Sequence, residues 1–236
     1  MSTLQLQSRD ESGPRGNLTL QLVKRLQSGA QGITYLAQIA ETAKKLVAKS
    51  INVERYSEAE MNRMVQSIMI EQTLKDTLGS CTTNKRYLCF YGVAANDELK
   101  NLNFQKIDFF YIINTTVKDF YLLYEYIDGL DLQEFIAKGN HILLDMILEI
   151  LEGMDMLHRH RIFHRDMKPE NIMISRSGHV RIIDFGMSCT FSDCLLSPMM
   201  GTPTYMAPEC SLLDRGFQSY ALAQSPPLQQ RDGLMM

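Results

Sequence analysis

The chain has 236 residues, enough for one domain or for one domain built from two lobes. Its hydrophobic fraction of 45% and charged fraction of 22% are those of a globular protein that buries a core. A formal net charge of −3 argues against the strongly basic surface that binds nucleic acid or an anionic membrane.

The N-terminal part reads as a polar arm followed by strands. Residues 1–16 are polar and contain Gly13-Pro14, so we predict a flexible N-terminal arm. From Asn17 onward apolar and polar residues alternate, which is typical of a half-buried strand. The chain then turns through Gly29 and Gly32. By itself this turn is either a plain hairpin or a loop whose backbone N–H groups bind phosphate.

A lysine and an acid in the next two elements form a candidate ion pair. Lys49 follows three apolar residues of a predicted strand, so its side chain is partly buried and requires an anionic partner. The helix predicted from Ser57 to Leu78 places Glu71 on its inward, apolar face. We therefore expect Glu71 to pair with Lys49, with Glu58 and Glu60 as alternatives.

The middle of the chain contains further strands and a long helix. Apolar runs predict strands at Tyr87–Val93, Asp108–Asn114 and Phe120–Gly129, the last of which stops at an acid and a glycine. A helix follows from His141 to Arg159, and its apolar residues spread over an arc of about 200°. An arc that wide predicts a helix buried from two directions.

The most informative segment is residues 164–186, HRDMKPENIMISRSGHVRIIDFG. Two short strands, Asn171–Ser175 and His179–Ile183, return the chain so that Asp184 lies beside Asp166 and Asn171. Carboxylate and amide oxygens are the ligands that Mg²⁺ prefers. A polar loop between two apolar strands would be enough to explain the triplet HRD or the triplet DFG by itself. It would not explain HRD, Asn171 and DFG in this order and at this spacing.

These motifs together resemble the eukaryotic-type protein kinase family, of the serine/threonine type. Gly201–Glu209 adds a match to its G-T-x-x-Y-x-A-P-E element. The resemblance implies an α+β, two-lobed fold with a small antiparallel β-sheet N-lobe carrying one helix. The N-lobe and hinge would be residues 17–127, and an incomplete, mainly helical C-lobe would be residues 128–210.

The resemblance also implies a reaction, the transfer of the γ-phosphoryl group of ATP, with Mg²⁺, to protein serine or threonine hydroxyls. Asp166 would orient the substrate hydroxyl, and Lys168 would contact the γ-phosphate. The metal would be held by Asn171 and Asp184. The nucleotide would be held by Gly29, Gly32, Lys49, Glu71 and the hinge backbone from Glu125 to Ile127.

The family pattern stops after Glu209, so we expect a truncated C-lobe and a disordered tail over residues 211–236. A truncated lobe would leave apolar helix surface for a partner to cover. The truncated C-lobe, together with Gln27 in place of the first glycine of the loop, makes a second function possible. That alternative is a catalytically impaired kinase that acts as a nucleotide-binding or protein-interaction module.

Cysteine usage and the N-terminus predict where the chain works. The five cysteines contain no C-x-x-C pair, and the first residues lack an apolar signal core, so we expect reduced thiols and an intracellular, cytoplasmic protein. The expected partners are ATP and a protein substrate, with no nucleic acid and no membrane.

Residues 187–200 would be the activation segment. Ser197 is its nearest candidate for phosphorylation, with Thr190, Ser192 and Thr202 as alternatives.

Overall fold

Seven strands in the N-terminal half form a closed barrel in the computed structural model. They are β1 (Ser2–Ser8), β2 (Asn17–Gly29), β3 (Gly32–Ile39), β4 (Lys45–Asn52), β5 (Phe90–Ala95), β6 (Phe109–Ile112) and β7 (Asp119–Glu125). Their order around the barrel is β1-β2-β3-β4-β7-β5-β6, and β5 and β6 run parallel. The structure describes residues 2–8, 17–29, 32–78, 86–95, 109–112, 119–194 and 201–207.

Strand β1 corrects the prediction of a flexible N-terminal arm. Residues 2–8 pair with β2 on one side and with β6 on the other, which closes the barrel. Leu4 and Leu6 alternate with polar residues and are both buried in the barrel interior. The apolar area buried by these two leucines offsets the entropy of ordering a short strand. The arm prediction is therefore wrong for residues 2–8, and residues 9–16 lie outside the described part.

Helix α1 (Glu58–Leu78) packs on the barrel and on the second lobe. Ser57 and Glu60 form a capping box at its start: Glu60 Oε2 accepts from the Ser57 N–H at 2.8 Å, and Ser57 Oγ accepts from the Glu60 N–H at 3.4 Å. Ile68 joins a core cluster with the barrel, whereas Ile70 joins a cluster that includes residues of the second lobe. The helix therefore connects the two parts of the molecule.

The second lobe contains short strands and helices around the predicted motif segment. Its elements are β8 (Gly129–Asp131), α2 (Leu132–Ala137), α3 (Leu144–Arg159), β9 (Ile162–Phe163), β10 (Ile172–Ser175), β11 (Val180–Ile182), β12 (Cys189–Thr190) and α4 (Phe191–Cys194). Asp131 caps α2, since its Oδ1 accepts from the Glu134 N–H at 2.7 Å. Strands β10 and β11 pair antiparallel, as the sequence predicted for the segment between Asn171 and Asp184.

One face of α3 is exposed, which corrects the prediction of burial from two directions. Met146 and Leu157 are buried, but Leu144 is 69% exposed and Leu151 is 58% exposed. Within the part that the structure describes, β11 and β9 cover one side of this helix. The other face presents Leu144, Ile147, Leu148 and Leu151, and Ile142 and Leu143, which precede the helix, are exposed as well.

Two cysteines form a disulfide that the sequence did not predict. Cys189 in β12 is joined to Cys194 at the end of α4, with their Cα atoms 5.4 Å apart. The expectation of reduced thiols is wrong for this pair, because the four-residue helix folds the chain back and brings the two side chains together.

Among the helices that the structure describes, none is both long and apolar enough to cross a membrane.

Candidate active site

Four polar side chains meet after β9 in the first part of the candidate site. Asp166 lies at the centre and is almost fully buried. Its Oδ2 forms an ion pair with Lys168 Nζ at 2.9 Å and accepts from Asn171 Nδ2 at 3.0 Å. Its Oδ1 accepts from the Thr202 hydroxyl at 2.6 Å and from the Thr202 N–H at 2.9 Å. Lys168 Nζ also donates to the Thr202 hydroxyl at 2.9 Å, so one carboxylate organises the group.

The loop reaches this geometry through backbone positions that the sequence does not reveal. Arg165 has a φ of 64°, in the left-handed region that non-glycine residues seldom adopt. Gly201 packs so closely on the loop that a Cβ there would lie 2.6 Å from the Arg165 carbonyl oxygen. Glycine is therefore required at position 201 for the Thr202 backbone to approach Asp166.

His164 anchors the same loop to the strand that leads to Asp184. Its Nε2 donates to the Ile183 carbonyl at 3.0 Å, and its Nδ1 accepts from the Asp166 N–H at 3.3 Å. Burial lowers the pKa of His164 despite the bond to Ile183, which keeps the imidazole neutral. The Ile183 N–H also donates to the Asn171 carbonyl at 3.0 Å, so Asp184 follows a residue that is bonded to the loop.

The charge state of Asp166 suits an acceptor of protons and hydrogen bonds. Burial alone would raise its pKa, but hydrogen bonds from Thr202 and Lys168, together with the charge of Lys168, outweigh that effect. The pKa of Asp166 therefore lies below its ordinary value, and the carboxylate is ionised at neutral pH.

The second part of the site joins β4 to the residues after β11. Lys49 Nζ forms an ion pair with Asp184 Oδ1 at 3.3 Å, and the Gly186 N–H donates to the same oxygen at 3.3 Å. Asp184 has a φ of 60°, so strain accompanies its placement. Burial raises the pKa of Asp184, but the charge of Lys49 and the Gly186 hydrogen bond bring it below the ordinary value.

Glu71 lies beside this ion pair but has a different partner. Its Oε1 accepts a hydrogen bond from the Tyr124 hydroxyl at 3.0 Å. Burial raises the pKa of Glu71 to about 8, although the Tyr124 bond and the charge of Lys49 act in the opposite direction. Lys49 and Glu71, which both lie in the described part of the chain, do not form the predicted ion pair. Asp184 is more exposed and keeps its charge at a smaller desolvation cost, so Lys49 pairs with it.

The remaining predicted residues lie in the hinge and in the glycine turn. Glu125 ends β7, where its N–H donates to the Cys89 carbonyl and its Oε1 accepts from the Cys89 N–H, both at 2.9 Å. Ile127 lies in residues 126–128, which connect β7 to β8. Gly29 and Gly32 pair at the ends of β2 and β3. Gly32 has a φ of 138°, and a Cβ there would lie 2.0 Å from the Ser50 carbonyl oxygen.

The donor set fits a magnesium ion shared with phosphates. Asn171 directs its amide nitrogen to Asp166, with bonds to both the carbonyl oxygen and Oδ2, which leaves its oxygen on the other side of the amide. Asp184 supplies an ionised carboxylate. Within the described residues no three His, Cys, Asp or Glu side chains cluster as a self-contained metal site. A magnesium ion that takes its other ligands from phosphates and water needs only one or two protein oxygens.

Sequence reasoning missed three contacts in this site. Thr202 was considered only as a candidate for phosphorylation, although its hydroxyl and N–H both bond to Asp166. Tyr124, in the strand that precedes the hinge, has a hydroxyl that donates to Glu71, a contact that the strand pattern did not predict. His164 was treated as part of a motif without a bonding role. The predicted candidate Ser197 lies outside the described residues.

The comparisons with known proteins agree with this geometry. The family described as protein kinase domain matches residues 20–221, which extends beyond Glu209, where the motif resemblance ended. The chain is 38% identical over 96 residues, or 38% of its length, to the probable serine/threonine-protein kinase PknB of Lactococcus lactis. It is 35% identical over 108 residues, or 42% of its length, to a probable serine/threonine-protein kinase of Streptomyces coelicolor. These matches span 15% and 16% of the two relatives. The predicted fold class is confirmed by the family match.

Proposed function

Because the chain belongs to the protein kinase family, we propose that it transfers the γ-phosphoryl group of Mg-ATP to serine or threonine hydroxyls of a protein substrate. The names of the two relatives support the serine/threonine class. The observation that carries the proposal is the convergence of Lys168, Asn171 and a threonine hydroxyl on the Asp166 carboxylate. A kinase that phosphorylates hydroxyl groups needs this arrangement of an acceptor and a cation.

Each residue has a task in the proposed reaction. The ionised Asp166 accepts the hydroxyl proton of the substrate, as it now accepts the hydrogen bond of Thr202. Lys168, which contacts the same hydroxyl, places a positive charge where the transferred group arrives. Magnesium, held by Asn171 and Asp184, would neutralise charge on the phosphates.

The nucleotide is held by residues of the first lobe in this proposal. Lys49 contacts the α and β phosphates once it leaves Asp184. The backbone from Glu125 to Ile127 contacts the adenine, and the turn through Gly29 and Gly32 covers the phosphates. Gly32 has no space for a side chain, because a Cβ there would meet the Ser50 carbonyl oxygen of the neighbouring strand β4.

Phosphoryl transfer is tested by incubating the purified chain with radiolabelled ATP, Mg²⁺ and a basic protein as acceptor. We expect label in the chain or in the acceptor, and loss of that label in the Asp184→Ala variant. Asp155→Asn is the matched control, because Asp155 is an exposed carboxylate that pairs only with Arg159 on its own helix in the described part. Equal labelling of wild type and Asp184→Ala would refute the proposed activity.

A second candidate function is nucleotide binding or protein interaction without phosphoryl transfer. The exposed apolar face of α3 favours it, because soluble proteins seldom expose several large aliphatic side chains together. The partner predicted to cover this face remains a prediction. Thermal stabilisation by Mg-ATP in a chain that transfers no label would favour this candidate.

A further inference from the structure

The disulfide between Cys189 and Cys194 lies at the start of the predicted activation segment and has no part in the proposed reaction. Cys189 belongs to β12, which forms two residue pairs with β9, and Cys194 is the last residue of α4. Along the chain, the bonded segment comes directly after Asp184 and Gly186. The bond therefore constrains the chain where it leaves the candidate site.

Helix α4 is held in place by local contacts at the surface. It has four residues and buries none of them. The Phe191 N–H donates to the Arg161 carbonyl at 2.9 Å, and the Phe191 ring lies 6.2 Å from the ring of Phe163. Thr190 closes the turn, because its hydroxyl accepts from the Asp193 N–H at 3.4 Å and donates to the Asp193 carboxylate. A single helical turn is unstable in isolation, so the disulfide contributes much of the order of this segment.

The two cysteines of the bond differ in their access to solvent. Cys189 is 4% exposed, whereas Cys194 is half-buried. A disulfide exchanges when a thiolate attacks one of its sulfurs, and access decides which sulfur is attacked. A thiolate that arrives from solvent therefore reaches Cys194 first, and Cys189 becomes the leaving thiolate.

The surroundings of Cys189 favour its release as a thiolate. Cys189 lines a cavity of about 30 Å³ together with Arg63 from α1 and with Arg165 from the loop of the candidate site. Asp193 lines this cavity as well, so among its described lining residues two cations face one acid. Neighbouring cations stabilise a thiolate, and a more stable thiolate leaves faster. The bond thus combines an accessible sulfur with a stabilised leaving sulfur, which is typical of a labile disulfide.

We propose that Cys189 and Cys194 form a reversible thiol–disulfide exchange site whose reduction releases α4 from the body of the second lobe. The co-reactant is a low-molecular-weight thiol. Its thiolate attacks the Cys194 sulfur, forms a mixed disulfide there and expels Cys189, which takes up the proton that the small thiol lost. A second small thiol attacks the mixed disulfide in the same way, which leaves Cys194 reduced and joins the two small thiols as a disulfide. The inference goes beyond the proposed function and does not depend on it, since no step involves ATP.

The first test incubates the purified oxidised chain with reduced glutathione at neutral pH and stops the exchange with acid. Digestion with chymotrypsin, which cleaves after Phe191, separates the two cysteines for mass spectrometry once remaining thiols are alkylated and any intact disulfide is accounted for. We expect glutathione on Cys194 to exceed glutathione on Cys189 by about tenfold or more, because access selects the attacked sulfur. Modification mainly at Cys189 would overturn the proposed exchange site. A bond that glutathione reduces only after the chain is unfolded in urea would overturn it as well.

The second test measures amide hydrogen exchange of the oxidised and the reduced chain by mass spectrometry. We expect the amides of residues 189–194 to exchange about 10- to 100-fold faster after reduction, the range that the closure entropy of a short disulfide loop allows. Strands β10 and β11 pair with each other away from the bond and should exchange at the same rate in both states. The double variant Cys189→Ser/Cys194→Ser is the matched control. It has no bond to break, so residues 189–194 should exchange rapidly with or without reductant.

Two results of the exchange experiment would contradict the inference. Equal exchange of residues 189–194 in the oxidised and reduced wild type would show that reduction does not release α4. An effect of reductant that persists in the double variant would assign the change to other cysteines. The comparison of the two redox states of wild type needs no substitution, and a melting curve of the double variant shows whether that control folds. Neither test uses ATP, so the radiolabel assay decides the proposed function separately.

Discussion

The buried acid of α1 gives a stability profile whose sign and size follow from the structure. Glu71 is 7% exposed, and burial raises its pKa from 4.5 to about 8. When the pH is above the ordinary pKa of 4.5, the unfolded chain has released the Glu71 proton. The native protein retains this proton until the pH reaches about 8. The native state then binds more protons, so its stability falls as the pH rises through this window.

The magnitude follows from proton linkage. One proton bound only in the native state changes the free energy of unfolding by about 1.36 kcal/mol per pH unit. Between about pH 5.5 and 7.5, Glu71 should therefore lower the stability of wild type by roughly 2–3 kcal/mol. Glu71→Gln removes the ionisable group and should remove this part of the slope, while it keeps an acceptor for the Tyr124 hydroxyl.

The assay is urea unfolding of wild type and Glu71→Gln at both pH values, followed by circular dichroism. The difference between the two proteins isolates the contribution of Glu71 from the contributions of the other ionisable groups. Glu60→Gln is the matched control on the same helix. Hydrogen bonds from Ser57 lower the pKa of Glu60. The stability that ionised Glu60 contributes is therefore lost only when the pH falls below the range of the assay. Parallel stability profiles for wild type and Glu71→Gln would show that Glu71 is ionised in the native protein.

Three further outcomes are expected from the same structure. Asp166→Asn should reduce labelling by about 100-fold or more in the radiolabel assay, because an amide cannot accept the substrate proton; near-normal labelling would remove Asp166 from the reaction. Gly32→Ala should lower the melting temperature more than Gly139→Ala. Both have a positive φ, but a Cβ at 32 meets a backbone oxygen at 2.0 Å and one at 139 meets nothing within 4 Å. Leu157→Ala should cost about 2–5 kcal/mol in urea unfolding because Leu157 is fully buried. Leu151→Ala, at an exposed position of the same helix, should change stability by less than about 0.5 kcal/mol, and equal losses would mean that the α3 face is covered in solution.

The order of short motifs predicted the family and the groups that meet around Asp166. Spacing was sufficient there because two short strands, β10 and β11, return the chain over a fixed length. The capping residues of α1 are also a local feature, and they place this helix in the predicted region. The exact hydrogen-bond partners of Asp166 were beyond prediction, since Thr202 reaches it from 36 residues away.

Local pattern alone was insufficient where pairing depends on distant residues. Leu4 and Leu6 belong to a polar N-terminal segment, and only their pairing with β2 and β6 makes them core residues. Cys189 and Cys194 share no recognised spacing, yet a single helical turn joins them.

The sequence by itself determined which chemical groups the site contains, because acids, amide and lysine at fixed spacing are properties of the chain. Only the tertiary structure decided how they pair. Lys49 chooses between two acids by the balance of burial and charge, and that balance depends on Tyr124 from β7, on the depth of Glu71 and on the exposure of Asp184. Electrostatic energies depend on distance and on surrounding solvent, and neither is encoded in local spacing.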